Sequence, residues 1–495
     1  MALVSLWQDR NPRSIPDQQP VAGHADVVVV GAGITGLTTA LLLSRAGKSV
    51  TVLEAEYVGH GTTGRSTAKV SLLQGTRLSQ ISKRHPIDVV RDYVEANAEG
   101  QAWVARFCED HGVAAQRRPA YTYAHGKHGR SAVRRELTLA RRAGLDATWL
   151  DELDLPYPTE GGVRLDDQLQ LDPIELLDAL ALQAREHGAV VVEGARVLKV
   201  RIDDRVRVET ERGTMTAGRL VVATNMPILD RGAFFAKAHP ARSYGLAFRT
   251  DSRAVDGMYL SADSPSRSLR DAPDQDGHLL LVGGAGHTTG RGAPESTRLE
   301  DLRQWTHEHF PGASETHAWS AQDYVPIHAL PYAGPLVPGQ DEILMAGGYS
   351  KWGMTNGVAA ALALSGQLLG GHQEWARVMR TWSRHELRGV IDGLRINGEV
   401  GFEMGRGWVR PLRPGRDAPA EGSGRVRYDH VGLPVAEATV EGRNTRVAAV
   451  CTHLGGIVRF NDAERSWDCP LHGSRFDADG EVLEGPAVCG LRRQQ

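Results

Sequence analysis

The chain has 495 residues, 41% of them hydrophobic, and a formal net charge of −3, which calls for two or more domains with real cores. A near-neutral balance without a long basic run excludes nucleic acid as a partner, and no apolar stretch reaches the ~18 residues of a membrane helix. Four cysteines are a cytosolic count rather than a disulfide framework, so the expected location is cytoplasmic.

The N-terminal arm, residues 1–23, lacks a signal-peptide core. Asp26-Val27-Val28-Val29-Val30 is a β-branched run suited to a buried parallel strand. It opens into Gly31-Ala32-Gly33-Ile34-Thr35-Gly36; an apolar helix follows to Leu43, and Gly47 closes it. Ser49-Val50-Thr51-Val52-Leu53 forms a second strand that ends in Glu54. This is a dinucleotide fingerprint in its proper context. The glycines allow a tight turn and close approach, the helix N-terminus receives a pyrophosphate, and Glu54 accepts from a ribose. By itself it does not separate FAD from NAD. Ala46-Gly47-Lys48-Ser49 ends like a triphosphate-binding loop, but Leu42 stands where the first glycine is needed, so that reading is rejected.

Farther along, Cys108 follows Val104 and Phe107 in a helical pattern and reads as a buried small hydrophobe. Asp172-Pro173 caps a helix over 174–187 that Gly188 stops, and strands follow at 189–192 and 195–202. Insertions in the dinucleotide domain are therefore expected at about 91–165 and 226–330. The second contains the glycine-rich 278–286, read as strand and loop because no apolar helix follows. His307 and His309 flank Glu308 in a polar helical stretch and read as solvated surface rather than metal ligands. Residues 375–388 read as a helix, the Gly/Pro/Arg-rich stretch up to 424 as a linker, and strands resume near Arg425.

Near the end stand Cys451-Thr452-His453-Leu454-Gly455 and Cys469-Pro470-Leu471-His472-Gly473-Ser474. Two pairs, each mixing one Cys with one His, can place two thiolates on one iron and two imidazoles on the other. Neutral histidines raise such a cluster's potential above that of an all-cysteine one. Tetrahedral zinc suits the same donors, but zinc fingers usually space their histidines within one helix. Cys451, His453, Cys469 and His472 are the expected ligands. Their surroundings (Asn461, Ala463-Glu464, Trp467-Asp468, Ser474-Arg475-Phe476-Asp477, Gly480 and Gly485-Pro486-Ala487) resemble Rieske domains.

Residues 343–357, Ile-Leu-Met-Ala-Gly-Gly-Tyr-Ser-Lys-Trp-Gly-Met-Thr-Asn-Gly before an Ala/Leu helix, resemble the C-terminal flavin motif of the glycine/D-amino-acid oxidase superfamily. So do the loop Gly59-His60-Gly61-Thr62-Thr63-Gly64-Arg65-Ser66-Thr67-Ala68-Lys69, the strand Leu220-Val221-Val222-Ala223-Thr224, and Leu330-Pro331-Tyr332-Ala333-Gly334. Trp319-Ser320-Ala321-Gln322-Asp323-Tyr324 is similar to members that carry a fused C-terminal Rieske domain. The resemblance spans about residues 24–372 and, with the Rieske tail, nearly the whole chain.

It implies an α/β fold: a Rossmann-like FAD-binding domain interleaved with an α+β substrate domain, then a small all-β Rieske domain. The oxidoreductase would occupy 24–395, with FAD-binding segments at about 24–90, 166–225 and 331–372. A linker at 396–424 and a Rieske domain at 425–495 would follow. Implied FAD-binding residues are Gly31, Gly33, Gly36, Glu54, Thr62, Thr63, Gly64, Arg65, Ser66, Thr67, Val197, Ala223, Thr224, Gly347, Gly348, Lys351, Gly353, Met354 and Thr355. Lys351, Trp352 and Arg65 are the candidates nearest the chemistry.

The implied activity is oxidation of a C–N bond in a small amine or amino-acid-like substrate by hydride transfer to FAD. Electrons would pass through the [2Fe–2S] cluster to a redox protein or quinone. The alternatives are an electron-transfer module or reductase serving a partner, and an FAD-dependent oxygenase. An oxygenase of the Rieske kind needs a mononuclear iron on two His and a carboxylate, and no such run appears. A flavin monooxygenase would need a second nucleotide site, which the chain does not display. No G-x-S-x-G nucleophile is present. Some relatives bond FAD through a His in the loop after the second strand; Arg65 stands at that position and His60 lies earlier, so non-covalent FAD is expected. Ser474 matches a hydroxyl that donates to a bridging sulfide in high-potential Rieske proteins. Their Tyr two residues on is Phe476 here, and their extra cysteine pair is Gly456 and Leu471, which implies a potential below the top of the Rieske range.

Overall fold

The computed structural model describes residues 3–15, 19–251, 253–275, 277–409 and 418–494. The valine run forms strand His24–Val30, buried at residues 27–30 on both faces, as a central parallel strand requires. It pairs in parallel with Val50–Leu53 and with Gly213–Asn225; Val190–Val192 and Gln340–Gly347 extend the parallel set, and Tyr332–Val337 closes one edge antiparallel. Val27 and Val29 pack toward helices Ile34–Arg45, Pro173–Glu186 and Gly353–Leu368. Val28 and Val30 pack toward the hairpin Val197–Ile202/Val206–Thr210. Asp172 caps Pro173–Glu186 as its sequence demands, its carboxylate accepting from the Ile174 N–H at 2.8 Å. Cys108 is buried in the long helix Ile87–His111, and burial pushes its thiol up to about 11.

A second, mostly antiparallel sheet runs Ser314–Pro326, Ala238–Arg249, Gly277–Thr288, Ser268–Asp274, Met258–Ser261, Ala115–Tyr123, Gly162–Leu171 and Lys69–Val70. Residues 278–286 are thus strand. Two segments of the cofactor-domain sequence, Lys69–Val70 and the second half of Gly162–Leu171, belong to this sheet because they pair with each other across it. The last domain has two small sheets, Ser423–Tyr428/Pro434–Val440/Arg443–Ala448 and Arg459–Asn461/Ser466–Asp468/Arg475–Phe476/Val482–Glu484, around Trp467, Phe476 and Val458.

Three expectations change. Residues 375–388 are not one helix. The chain makes 3-10 turns at Glu374–Met379 and Glu386–Gly389, and between them Trp382 adopts φ 59°. There the Thr381 hydroxyl and the Trp382 indole N–H both donate to the Pro335 carbonyl, which propensity alone cannot foresee. The linker expected from 396 is helical at its start, within Val390–Val409, although five glycines stand in that helix. Arg84–Asp392, Arg291–Glu399 and Arg459–Glu403 pairs and the burial of Ile396 tie it to both domains. Of the rest of the expected linker, 410–417 lie outside the described residues, and the strand Ser423–Tyr428 already begins within its last two positions. Finally, His307 is exposed, but His309 is half-buried, stacked on Trp305 with ring centroids 4.5 Å apart.

Candidate functional site

One cavity of about 1140 Å³ lies where the two large sheets and the small last domain meet. Its first wall is the dinucleotide fingerprint. Gly31 turns with φ 103°. A Cβ on Gly36 would stand 1.9 Å from the Gly31 carbonyl, so this glycine lets helix and strand close-pack. A Cβ on Gly33 would meet only the Thr63 hydroxyl, at 3.2 Å, which leaves an open cradle. Gly33 offers no capping side chain to the helix that starts there, and the Ile34 N–H donates to the Thr63 hydroxyl at 3.3 Å, so the N–H groups of Thr35 and Gly36 are the ones that can receive an anion. The Glu54 carboxylate accepts from the Ala32 N–H at 2.7 Å. Burial raises its pKa, and the N–H groups of Ala32 and Glu56 oppose that rise.

Of the other expected cofactor residues, Thr62, Thr63, Arg65, Ser66, Thr67, Val197, Ala223, Thr224, Lys351, Gly353 and Met354 also line the cavity, as does Trp352. Gly36, Gly64, Gly347, Gly348 and Thr355 lie behind the wall and shape it. Cβ atoms on Gly64 and Gly347 would fall 1.9 Å from the carbonyls of Gly59 and Asn225. Gly348 has φ 73°, and the Thr355 hydroxyl is buried against Asn97 at 2.6 Å. Ser350 and Lys351 also have positive φ, 54° and 73°, held by the Lys351 N–H donating to the Asp323 carboxylate. The turn delivers the uncapped start of Gly353–Leu368 to the cavity, and a Thr35–Tyr349 hydroxyl bond of 2.8 Å joins it to helix Ile34–Arg45.

The second wall, from the antiparallel sheet and nearby loops, includes Gln74, Arg77, Tyr244, Arg298 and Ser243. Nothing in their sequence pattern marked these residues. The N-terminal arm contributes as well: Ser5 and Trp7 donate to the carbonyls of Gly64 and Ser66, at 2.8 and 2.7 Å, and so brace the cofactor loop.

The third wall is the last domain, whose Leu483, Glu484 and Gly485 face the same cavity. A buried ion cluster fastens it there. Arg242, fully buried in the antiparallel sheet, bonds Glu464 at 3.2 Å and also Glu484; Arg475 reaches Glu464 at 2.8 Å and Asp468 at 2.9 Å. Burial alone would raise Glu464, but Arg242 and Arg475 hold it down to about 2. Arg65 lies 3.6 Å from Glu484, so the cofactor loop takes part. Neither Arg242 nor Glu484 carried a sequence signal.

In the last domain, turns bring Cys451 beside Cys469 and His453 beside His472. The two thiols hydrogen-bond each other; this bond holds Cys451 down to about 7 and pushes Cys469 up, as expected of two sulfurs that titrate together. The imidazole centroids are 5.1 Å apart. Burial and His453 lower His472 to about 3, so it stays neutral as a metal ligand must, and its buried Nδ1 has no partner. Among the described residues no group of three or more His, Cys, Asp or Glu converges to hold a single ion. Sulfurs in one pair and imidazoles in another fit a two-iron cluster better than one tetrahedral zinc. His453 Nε2 is 2.6 Å from the Asp230 carboxylate of the oxidoreductase part.

Residues 26–367 match the family model of FAD-dependent oxidoreductases, DAO, and residues 419–493 match that of the Rieske [2Fe–2S] domain. The chain belongs to the DAO family. It is an FAD-dependent oxidoreductase with a C-terminal Rieske domain, and its cofactors are FAD and a [2Fe–2S] cluster. A Bacillus subtilis (strain 168) protein, YhfW, named as a Rieske 2Fe-2S iron-sulfur protein, is 30% identical over 95% of this chain and 93% of its own. OrdL of Rhizobium meliloti (strain 1021), named as an oxidoreductase, is 24% identical over 68% of this chain and 81% of its own. Solved DAO-like folds superpose on the oxidoreductase part. Glycine oxidase from Geobacillus kaustophilus gives a TM-score of 0.61 at 18% identity, covering 71% of this chain and 96% of that one. L-proline dehydrogenase from P. horikoshii gives 0.60 at 17%, covering 72% and 96%. Among the described residues no helix is long and apolar enough to cross a membrane.

Proposed function

We propose that this DAO-family protein oxidises a C–N bond of a small amine or amino-acid-like substrate and passes the electrons out through its Rieske cluster to a redox protein or quinone. The observation that carries the reading is the shared cavity: dinucleotide cradle, substrate sheet and Rieske domain each form one wall of it. FAD bound there supplies a hydride acceptor that can hand on single electrons. Gly31, Gly33, Glu54 and the first-turn amides of Ile34–Arg45 would hold its adenosine and pyrophosphate. The uncapped start of Gly353–Leu368 would face its electron-rich ring edge. Cys451, His453, Cys469 and His472 would hold the cluster.

The remaining work falls to positioning. Tyr244, Arg77, Gln74 and Lys351 would orient the substrate over the ring, and the Rieske wall would exclude water. Lys351 is set for this by its strained backbone and by its ammonium bond to Ser243. Enclosure of both histidines, with His453 held by Asp230 and His472 edged by Phe235 at 5.1 Å, supports a cluster that serves this chain's own flavin. Thr452 and Leu454, exposed beside it, leave an exit to an external acceptor. Anaerobic titration with a panel of small amines and amino acids tests the substrate class. Bleaching of the flavin by at least one is expected; bleaching by NAD(P)H alone would overturn the reading in favour of a reductase or monooxygenase.

A further inference from the structure

The segment Gln322-Asp323-Tyr324, on strand Ser314–Pro326, touches the cofactor loop on one side and the cluster loop on the other. The Gln322 carbonyl accepts from the Thr62 hydroxyl at 2.7 Å and from the Asn225 amide at 3.4 Å, both on the cavity wall. Its side-chain Nε2 donates to the carbonyl of Gly473 at 2.9 Å and to the Tyr324 hydroxyl at 3.2 Å. The Tyr324 hydroxyl donates to the carbonyl of His472, an expected iron ligand, at 3.0 Å. Both side chains are buried, each 3% exposed. The fit allows no slack: at Gly473, φ 80°, a Cβ would stand 2.9 Å from Gln322 Nε2.

We propose that Gln322 and Tyr324 are the bridge that couples flavin to cluster; this rests on the relay reading above. Tunnelling decays far less steeply along covalent and hydrogen bonds than across a gap. Here one residue's backbone and side chain span from the Thr62 hydroxyl to the neighbour of His472. Fastening the domains does not require these two neutral groups, because Arg242, Arg475, Glu464 and Glu484 already do that. With both cofactors bound, each passage would carry one electron from reduced flavin to one ferric iron of the cluster, and over the two passages the anionic reduced flavin left by hydride transfer would release one proton to water. A second passage follows once an external one-electron acceptor, a redox protein or quinone, has reoxidised the cluster. Gln322 and Tyr324 are positioning residues and are themselves neither oxidised nor reduced.

The test uses full-length protein loaded with both cofactors. Its flavin is photoreduced anaerobically in a flash with EDTA as donor, and cluster reduction is followed by absorbance and by the Rieske EPR signal. Tyr324→Phe and Gln322→Met should each slow cluster reduction severalfold, and the double variant more than either. FAD stoichiometry, EPR line shape and the potential difference between the cofactors should stay as in wild type, which a merely structural role would not predict. Wild-type transfer rates in both single variants would overturn the bridge while leaving the relay standing. A wild-type cluster that stays oxidised beside reduced flavin would overturn the relay, and the bridge with it. If Gln322→Met does not fold, Tyr324→Phe, which keeps the ring, decides alone.

Discussion

At the scale of single residues, the cavity's chemistry depends on which side chains are missing as much as on those present. Gly33→Trp should abolish FAD binding, read as loss of the yellow chromophore, because the space in front of its Cα is where the pyrophosphate approaches. Glu54→Ala should weaken FAD by about 1.5–3 kcal/mol in a binding titration, the worth of a hydrogen bond to a charged group. Acid precipitation should leave all flavin in the supernatant. Colour in the pellet would point to His60, which lines the cavity with a buried, unpartnered Nδ1. On the cluster, the Ser474 hydroxyl lies at the Cys451 sulfur and accepts from the Ala487 N–H at 3.0 Å. Ser474→Ala should lower the potential within the Rieske window of about −150 to +300 mV, measured by EPR-monitored redox titration. Phe476→Tyr should raise it if the new hydroxyl reaches the sulfur side.

Elements built from local pattern were legible in the sequence, and elements built from distant contacts were not. The valine strand, its glycine turn and the Asp172-capped helix follow from periodicity, glycine placement and capping, all properties of short windows. The helix Val390–Val409 reads as linker because its glycines each cost about 1 kcal/mol against alanine; its ion pairs to both domains lie out of view of that window. Gly398 and Gly401 have open space where a Cβ would go. Gly398→Ala and Gly401→Ala should therefore each stabilise this helix by about 0.5–1 kcal/mol, visible as slowed amide exchange along it. Slower exchange elsewhere but not in the helix would contradict this. The domain contact was equally hidden, since Arg242 and Glu464 are 222 residues apart. Glu464 is held below the ordinary carboxylate range, so its contribution is complete at neutral pH. It is lost as pH falls from about 4 toward 2, and amounts to something on the order of 3 kcal/mol. Arg242→Met leaves Glu464 and Glu484 buried with one partner fewer and should cost about 3–5 kcal/mol at pH 7 by urea denaturation. A variant as stable as wild type would remove the ion cluster from the docking.

For the whole molecule, the sequence allows two cofactor sites in separate domains, whereas the fold places both domains on one cavity. His472→Ala should still abolish the Rieske signal without releasing FAD. The reason is not distance between domains but that His472 lies outside the cavity lining while Glu484 and its neighbours form the wall. The two domains, with the dinucleotide cradle and the proposed cluster ligands in them, were readable because such chemistry demands fixed residues at fixed spacing. The second wall was not, since Gln74, Arg77, Tyr244 and Arg298 are far apart in sequence and converge on the cavity only in the fold. The central claim is that electrons enter at the flavin and leave through the cluster. Rapid-freeze EPR after anaerobic mixing with an amine that bleaches the flavin tests it most directly. The relay predicts a Rieske signal that grows in after bleaching, at up to one spin per chain. Bleached flavin beside a cluster that stays EPR-silent, or zinc in place of iron in anaerobically purified protein, would contradict it.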